Sequence, residues 1–303
     1  MAAAPWVLRS LLFVPGHASR MIEKARGAGA DALILDLEDG VAPAQKPDAR
    51  RVIAGALEEG FPESLIVFLR VNGLRSGLLD LDLHDALRPR VNGICLPKCT
   101  AAAETHAVDA RLRRVEDHHR LARGRLRLLP MIESPEGVVD APAIARECHR
   151  VCALAFGAED FTAELGVART SEGAELAFAR AAVSLAAHAA GVDPIDGIYA
   201  DFRDEAGLRA DTTAARRLGY AGKMVIHPAQ IAPVHEVFAP TAEEVDRSRR
   251  IVAAFEEARA TGSGVTVVDG AMVDLPVALR AQQVLERARR SLRGRPARWD
   301  GPS

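Results

Sequence analysis

Eight short apolar runs recur along this chain at intervals of roughly thirty residues, and a helix-like stretch follows each of them. The runs are RSLLFVP (9–15), DALILDLED (31–39), LIVFLRVN (65–72) and VNGICLPK (91–98), then LRLLPMIES (126–134), VCALAFGAED (151–160), IDGIYADF (195–202) and KMVIHP (223–228). Helical patterns between them include 18–28, 44–58, 101–123 and 172–190. Strands apolar on both faces and separated by helices indicate a parallel sheet covered on its outside. Eight βα units favour a closed (β/α)8 barrel over an open doubly wound sheet, an α/β fold in either case. No G-x-G-x-x-G follows any of the runs, which weakens a dinucleotide-binding reading.

The repeat stops after Pro228. A helical pattern over 241–260 leads into the turn TGSG, a short strand VTVVDG (265–270) and a further helix from about Pro276. The chain therefore divides into a barrel domain, 1–240, and a C-terminal extension, 241–303. With 303 residues and 49% hydrophobic content, one barrel of about 250 residues plus an appendage fits the length. The Arg-rich tail from Arg287 onward reads as a solvated end.

Charge and cysteine content narrow the class. A net charge of -2 offers no basic field for nucleic acid or a membrane surface. The most apolar stretch, around 176–190, carries Arg180 and His188 and reads as a helix of a soluble protein. The opening MAAAPWVLRS lacks a basic segment followed by an apolar one, so no signal peptide is expected. Cys95, Cys99, Cys148 and Cys152 form two C-x3-C pairs, a spacing unlike that of zinc ribbons. They read as reduced core cysteines of a cytoplasmic protein. Basic charge is almost wholly arginine, since the only lysines are Lys24, Lys46, Lys98 and Lys223.

In such barrels the chemistry lies at the C-terminal ends of the strands. The polar residues there are Asp36, Glu38 and Asp39, then Arg70 and Asn72, Lys98, Glu133, Glu159 and Asp160, Asp201, and His227. So many carboxylates repel one another unless a cation sits among them, and carboxylate oxygens without a His/Cys cluster suit Mg2+. Glu133 and Asp160, on neighbouring strands, are the expected pair of ligands. Taken singly, Glu133 reads equally as helix-start electrostatics and Asp160 as a cap for a helix over 161–165. Arg70 either pairs with neighbouring carboxylates or clamps a substrate carboxylate. His227 is expected to shape its loop by hydrogen bonding. Arg20 and Lys24 share a helix face and, with Lys46, could neutralise a phosphorylated substrate arm, or form a solvated basic face.

The segments LRSLLFVPG, ADALILDLEDGV with Lys46 and Arg50, FLRVNG, LPMIESPEG, GAEDFTAELG, IYADFRDEAGL, GYAGKMVIHPAQI and MVDLP resemble, in order, the citrate lyase β-subunit-like family. This family belongs to the HpcH/HpaI aldolase group and includes malyl-CoA and citramalyl-CoA lyases. The resemblance implies a barrel with Mg2+ on Glu133 and Asp160 and with Arg70 binding a small 2-oxo acid of the oxaloacetate, glyoxylate or pyruvate class. It implies a CoA-thioester path past Phe13, Arg20, Lys24 and Lys46, with Ala200 and Asp201 lining the substrate site. It makes Asp274 a catalytic acid or base delivered from a neighbouring subunit of a homotrimer or hexamer. Read without the resemblance, Asp274 is a helix cap before Pro276. The implied activity is cleavage or synthesis of a carbon–carbon bond in a 3-hydroxyacyl-CoA. The rivals are a citryl-thioester lyase subunit that needs an acyl-carrier partner, a CoA-independent 2-oxo acid aldolase and a non-catalytic binding protein.

Overall fold

Strand and helix alternate as the repeat predicts, and the strands close on themselves. The computed structural model describes residues 6–170 and 172–293, with side chains described as far as 289. The first residues of the opening segment and the end of the Arg-rich tail lie outside the described residues. The barrel strands are β1 (Ser10–Pro15), β2 (Ala32–Asp36), β3 (Ile66–Arg70), β4 (Gly93–Leu96), β5 (Arg127–Ile132), β6 (Ala153–Phe156), β7 (Asp193–Asp196) and β8 (Gly222–Val225). All pairs are parallel, in sequential order, and β8 closes onto β1 with Ser10 opposite Lys223. Closure needs a close backbone approach at Gly222, where an added Cβ would stand 1.7 Å from the Leu8 carbonyl oxygen.

Every second strand residue points inward. Leu11, Ile34, Phe68, Cys95, Leu129, Met131, Ala155, Ile195 and Met224 form one interior cluster, with the ring of Trp6 edge-on to Phe68 at 5.8 Å. The alternate residues, such as Leu33, Leu35, Val67 and Leu69, are also fully buried. This two-sided burial is why the runs read as continuously apolar.

The seventh strand departs from expectation. Pairing ends at Asp196, so Ala200 and Asp201 lie in the loop that follows it and not on the strand. Proline at 194 does not interrupt β7, because its carbonyl still accepts from Ala221 N at 2.9 Å. Below the barrel, Arg150 enters the fold just before β6 and is buried with 1% of its side chain exposed. It donates to both Glu116 carboxylate oxygens at 2.6 and 2.8 Å, to Asp109, and to the Leu126 carbonyl at 2.9 Å.

The chain forms two compact units, Met1–His235 and Glu236–Ser303. In the second, the helices Ala242–Ala260 and Leu275–Arg293 and a hairpin of β9 (Thr266–Val268) and β10 (Ala271–Val273) surround Ile251, Phe255, Val273, Ala278 and Ala281. Thr241 starts the first of these helices with a reciprocal cap, its hydroxyl accepting from Glu244 N while Glu244 accepts from Thr241 N. The expected single strand over 265–270 is thus one arm of a hairpin. Its turn, Asp269–Gly270, has φ of 49° and 76° at the two residues, the left-handed pair that Asp-Gly supplies.

Candidate functional site

The mouth of the barrel is built on β5 and β6. Ile132 pairs with Phe156 at their ends, and Gly157 N donates to the Ile132 carbonyl at 2.9 Å. The two strands therefore release Glu133 and Asp160 side by side. Glu133 lies against the backbone of Gly157, where an added Cβ would meet the Glu133 Cγ at 2.4 Å, so the glycine is a requirement of that side-chain position. Ser134 caps the next helix by accepting from Gly137 N at 3.0 Å, which directs the chain away immediately after Glu133. The helix carrying Asp160 runs Ala158–Leu165 with Gly157 as its cap residue. Asp160 is thus not the cap, as its sequence alone allowed, but stands in the first turn, where the helix dipole favours an anion.

Both carboxylates line one cavity of about 580 Å³, together with Glu38, Asn72, Lys98 and Ser134. Lys98 ties the rim together. Its backbone N–H donates to Glu133 Oε2 at 2.8 Å, and its ammonium reaches Glu38 Oε1 at 2.6 Å, Asp39 Oδ2 at 2.9 Å and Asp160 Oδ1 at 3.7 Å. To do both, Lys98 adopts a left-handed backbone with φ of 51°, which costs a non-glycine residue about 1–2 kcal/mol. Burial opposes the charged ammonium, yet hydrogen bonds to Asp39 and Glu38 outweigh it and raise its pKa.

Glu133 has the opposite balance. Burial, reinforced by the charge of Asp160, pushes its carboxyl up to about 7. A divalent cation between the two carboxylates would relieve both causes. Among the described residues, no group of three or more His, Cys, Asp or Glu side chains is arranged for a metal. Two carboxylates beside open space suit Mg2+, which takes one or two of them and completes its shell with water and substrate oxygens. They do not suit zinc, which draws on nitrogen and sulfur.

Arg70, at the end of β3, stands on the other side of Glu38. Asp36 grips it through Nε at 2.6 Å and Nη2 at 2.7 Å, Glu38 lies 3.2 Å from Nη1, and the guanidinium stacks over Phe13 at 4.7 Å from the ring centroid. Burial disfavours the charge, but the hydrogen bond and charge of Asp36 more than offset it and raise the Arg70 pKa. Asp36 also accepts from Glu38 N and Gly40 N, so the whole β2 loop is folded around this carboxylate.

The other expected residues are placed differently. Lys46 spends its ammonium on the Leu37 and Glu38 carbonyls and on Asn72 Oδ1, at 2.7, 2.9 and 2.7 Å. It therefore works from beneath the β2 loop as a tie to β3 and is not turned out toward a substrate arm. Arg20 and Lys24 are exposed on the helix Ser19–Ala25 after β1. Ala200 and Asp201 are exposed after β7, where Asp201 accepts from Arg203 N at 3.0 Å. Neither pair lines the cavity around Glu133. His227 accepts from Ala229 N at 3.2 Å and stacks on Phe202, 4.7 Å between ring centroids, which makes it a loop-shaping residue. In the second unit, Asp274 accepts from Val277 N at 3.2 Å and caps the helix Leu275–Arg293. The sequence reading gave no role to Lys98 or Asp36. One signal was available for Lys98, its rarity among 39 basic residues with only four lysines.

Comparison with known proteins agrees with this architecture. The family model for HpcH/HpaI aldolase/citrate lyase matches residues 9–228. Citrate lyase subunit beta of Haemophilus influenzae is 36% identical over 285 residues, covering 94% of this chain and 98% of the relative. The (3S)-malyl-CoA thioesterase of Cereibacter sphaeroides is 37% identical over 288 residues, 95% of this chain and 97% of that protein. Among solved structures, CitE from Mycobacterium tuberculosis in complex with magnesium, acetoacetate and coenzyme A superimposes with a TM-score of 0.77 at 31% identity, over 94% of this chain and 99% of that one. The chain belongs to the HpcH/HpaI aldolase/citrate lyase family and is a carbon–carbon lyase.

Proposed function

We propose that this enzyme cleaves, or in reverse forms, the carbon–carbon bond of a 3-hydroxyacyl-CoA such as malyl-CoA or citramalyl-CoA, giving acetyl-CoA and a small 2-oxo acid. The observation that carries the reading is the shared cavity of Glu133 and Asp160, with a restrained arginine one carboxylate away. Glu133 and Asp160 would hold Mg2+. When bound, that ion lowers the cost of negative charge on the substrate's hydroxyl and carboxylate oxygens. Arg70 commits two of its five N–H groups to Asp36 and lies 3.2 Å from Glu38 through Nη1, and the remainder would orient the substrate carboxylate. Because protein contacts already fix the guanidinium plane, little of its freedom is lost on binding substrate.

Cleavage removes the proton of the 3-hydroxyl group. The C2–C3 bond breaks as the carbonyl of the oxo acid forms, and the bonding pair passes into the thioester enolate, which is then protonated at carbon. Asp274 is the proposed acid and base for these two transfers, supplied by a neighbouring copy in a homotrimer or in a hexamer built from trimers. The family resemblance supports this assignment. Phe13 braces Arg70, and Arg20 and Lys24, exposed beyond β1, are the proposed contacts for the CoA phosphates, with Ala200 and Asp201, exposed beyond β7, the proposed lining of the substrate site. Four free, buried cysteines and no helix long and apolar enough to cross a membrane among the described residues support a cytoplasmic setting.

A panel of 3-hydroxyacyl-CoA thioesters, incubated with the purified chain and Mg2+ and followed by mass spectrometry, tests the reading. Acetyl-CoA plus an oxo acid, lost on adding EDTA, is the expected result. Free CoA with an intact hydroxy acid would identify a thioesterase instead, as the name of the Cereibacter sphaeroides relative suggests for that protein. Turnover of free hydroxy-oxo acids with no CoA ester would identify a simple aldolase.

A further inference from the structure

We propose that the Lys98 ammonium is a built-in counter-cation of the metal site, holding the rim carboxylates together without a divalent ion and competing with that ion electrostatically when it binds. The inference rests on Glu133 and Asp160 being the Mg2+ ligands, and its test separates the two claims.

One residue contacts both candidate ligands by different means. The Lys98 backbone N–H holds Glu133 Oε2 at 2.8 Å, while its ammonium stands 3.7 Å from Asp160 and closer still to Glu38 and Asp39. Three carboxylates, those of Glu38, Asp39 and Asp160, thus stand within 4 Å of one ammonium. The backbone at this position is left-handed, a conformation for which glycine is the unstrained choice. The side chain must therefore contribute something that glycine lacks. A compact ammonium can sit amid converging oxygens as a point charge, whereas the planar fork of an arginine, the usual cation of this chain, directs its donors within one plane. Glu38 is also the carboxylate that lies against Arg70, so the Lys98 ammonium connects the candidate metal ligands to the candidate substrate clamp.

Lys98 is thus a positioning residue. Two consequences follow from Coulomb's law. Without the ammonium, the metal-free rim carries unbalanced negative charge and is less stable. Mg2+ then meets the same carboxylates without a competing positive charge and binds more tightly.

The experiment is a calorimetric titration of Mg2+ into metal-free full-length protein, with melting temperatures recorded in EDTA and in saturating Mg2+. The wild type is compared with Glu133→Gln, Lys98→Gly, Lys98→Met and Lys98→Arg. Lys98→Gly retains the left-handed backbone and the N–H to Glu133, and Lys98→Met retains the bulk of the side chain. Binding by the wild type that disappears in Glu133→Gln establishes the site itself. On that background, Lys98→Gly and Lys98→Met are expected to bind Mg2+ roughly tenfold more tightly and Lys98→Arg about as the wild type does. Lys98→Met, which keeps the left-handed strain that Lys98→Gly would relieve, is also expected to melt lower in EDTA and to recover in Mg2+. Unchanged or weaker binding in both neutral variants would overturn the role of Lys98. Wild-type binding indifferent to Glu133→Gln would overturn the metal site on which it rests.

Discussion

Asp36 holds Arg70 by both carboxylate oxygens, with Nε and Nη2 at 2.6 and 2.7 Å, and the same two oxygens accept the backbone N–H groups of Glu38 and Gly40. The β2 loop and the arginine are therefore set by one carboxylate. Lysine cannot reproduce this planar contact. Arg70→Lys should lower kcat/KM by roughly 100-fold or more, the scale of losing a preorganised charged donor, while circular dichroism stays native. Unaltered kinetics would remove Arg70 from substrate binding.

The proposed metal pair, Glu133 and Asp160, makes a graded prediction. Glu133→Gln and Asp160→Asn should eliminate EDTA-sensitive turnover in protein that remains folded. Gly157→Ala should act on the same site indirectly, because its methyl group would collide with the Glu133 side chain. Weaker Mg2+ binding with near-native thermal stability is expected for it. Full Mg2+ affinity in Gly157→Ala would show that Glu133 can move aside without cost.

Shared catalysis between subunits can be tested by mixing. Asp274→Asn and Glu133→Gln are each expected to be inactive alone. Allowed to exchange subunits, they should recover partial activity, since some interfaces would join an intact barrel to an intact acid. A mixture that stays inactive after mass spectrometry has shown exchange, or an active monomer in ultracentrifugation, rules the arrangement out.

A pH-dependent stability term is expected from His235. Its Nε2 lies 2.7 Å from Ser10 Oγ, and burial, only partly offset by the charge of Asp31, depresses its pKa to about 4. The imidazole is therefore neutral in the folded protein at neutral pH, and its 3.6 Å contact with Asp31 is not an ion pair there. The unfolded chain takes up the proton near pH 6.5. Above that value both states are neutral and the term is fully present. As pH falls from 6.5 to about 4, only the unfolded state gains the proton, and about 3 kcal/mol of stability is lost. Urea midpoints between pH 7.5 and 4.5 should decline less steeply for His235→Gln than for the wild type, and equal slopes would assign the acid sensitivity elsewhere.

At the opposite end of the barrel, Arg150→Met should lower unfolding free energy by about 3–5 kcal/mol, because it leaves Glu116 buried and without its cation. Specific activity per folded molecule should hold. A change under 1 kcal/mol would mean that Glu116 is satisfied by the N–H groups of Gly124 and Leu126.

The barrel was legible because its strands are buried on both faces, so each appears as an apolar run without needing its partners. Glu133 and Asp160 were legible because a strand end followed by Ser-Pro or by a glycine marks where a side chain leaves the barrel. Local pattern failed where tertiary pairing sets the limit. β7 stops at Asp196 although β8 beside it runs on to Val225, and nothing between Ile195 and Phe202 in the sequence says so. β10 was missed although the Asp-Gly pair that turns the hairpin is in plain view. The occupied ammonium of Lys46 is not readable from local pattern, since its acceptors include the Asn72 side chain in the loop after β3. At Lys98 the sequence shows only a strand end, because a left-handed backbone at lysine leaves no mark in composition or periodicity.

The position of Arg150 has a wider meaning. It grips the chain where β5 and β6 begin, and beyond the far ends of those strands stand Glu133, directly after β5, and Asp160, in the helix that follows β6. Anchorage and reactivity thus occupy opposite tips of the same two rods, and no residue is asked to serve both. Loops around the mouth are free to be exchanged, and with them the acyl group accepted, while the footing below keeps the rods in register. A scaffold divided in this way can acquire new substrates one loop at a time without first becoming unstable.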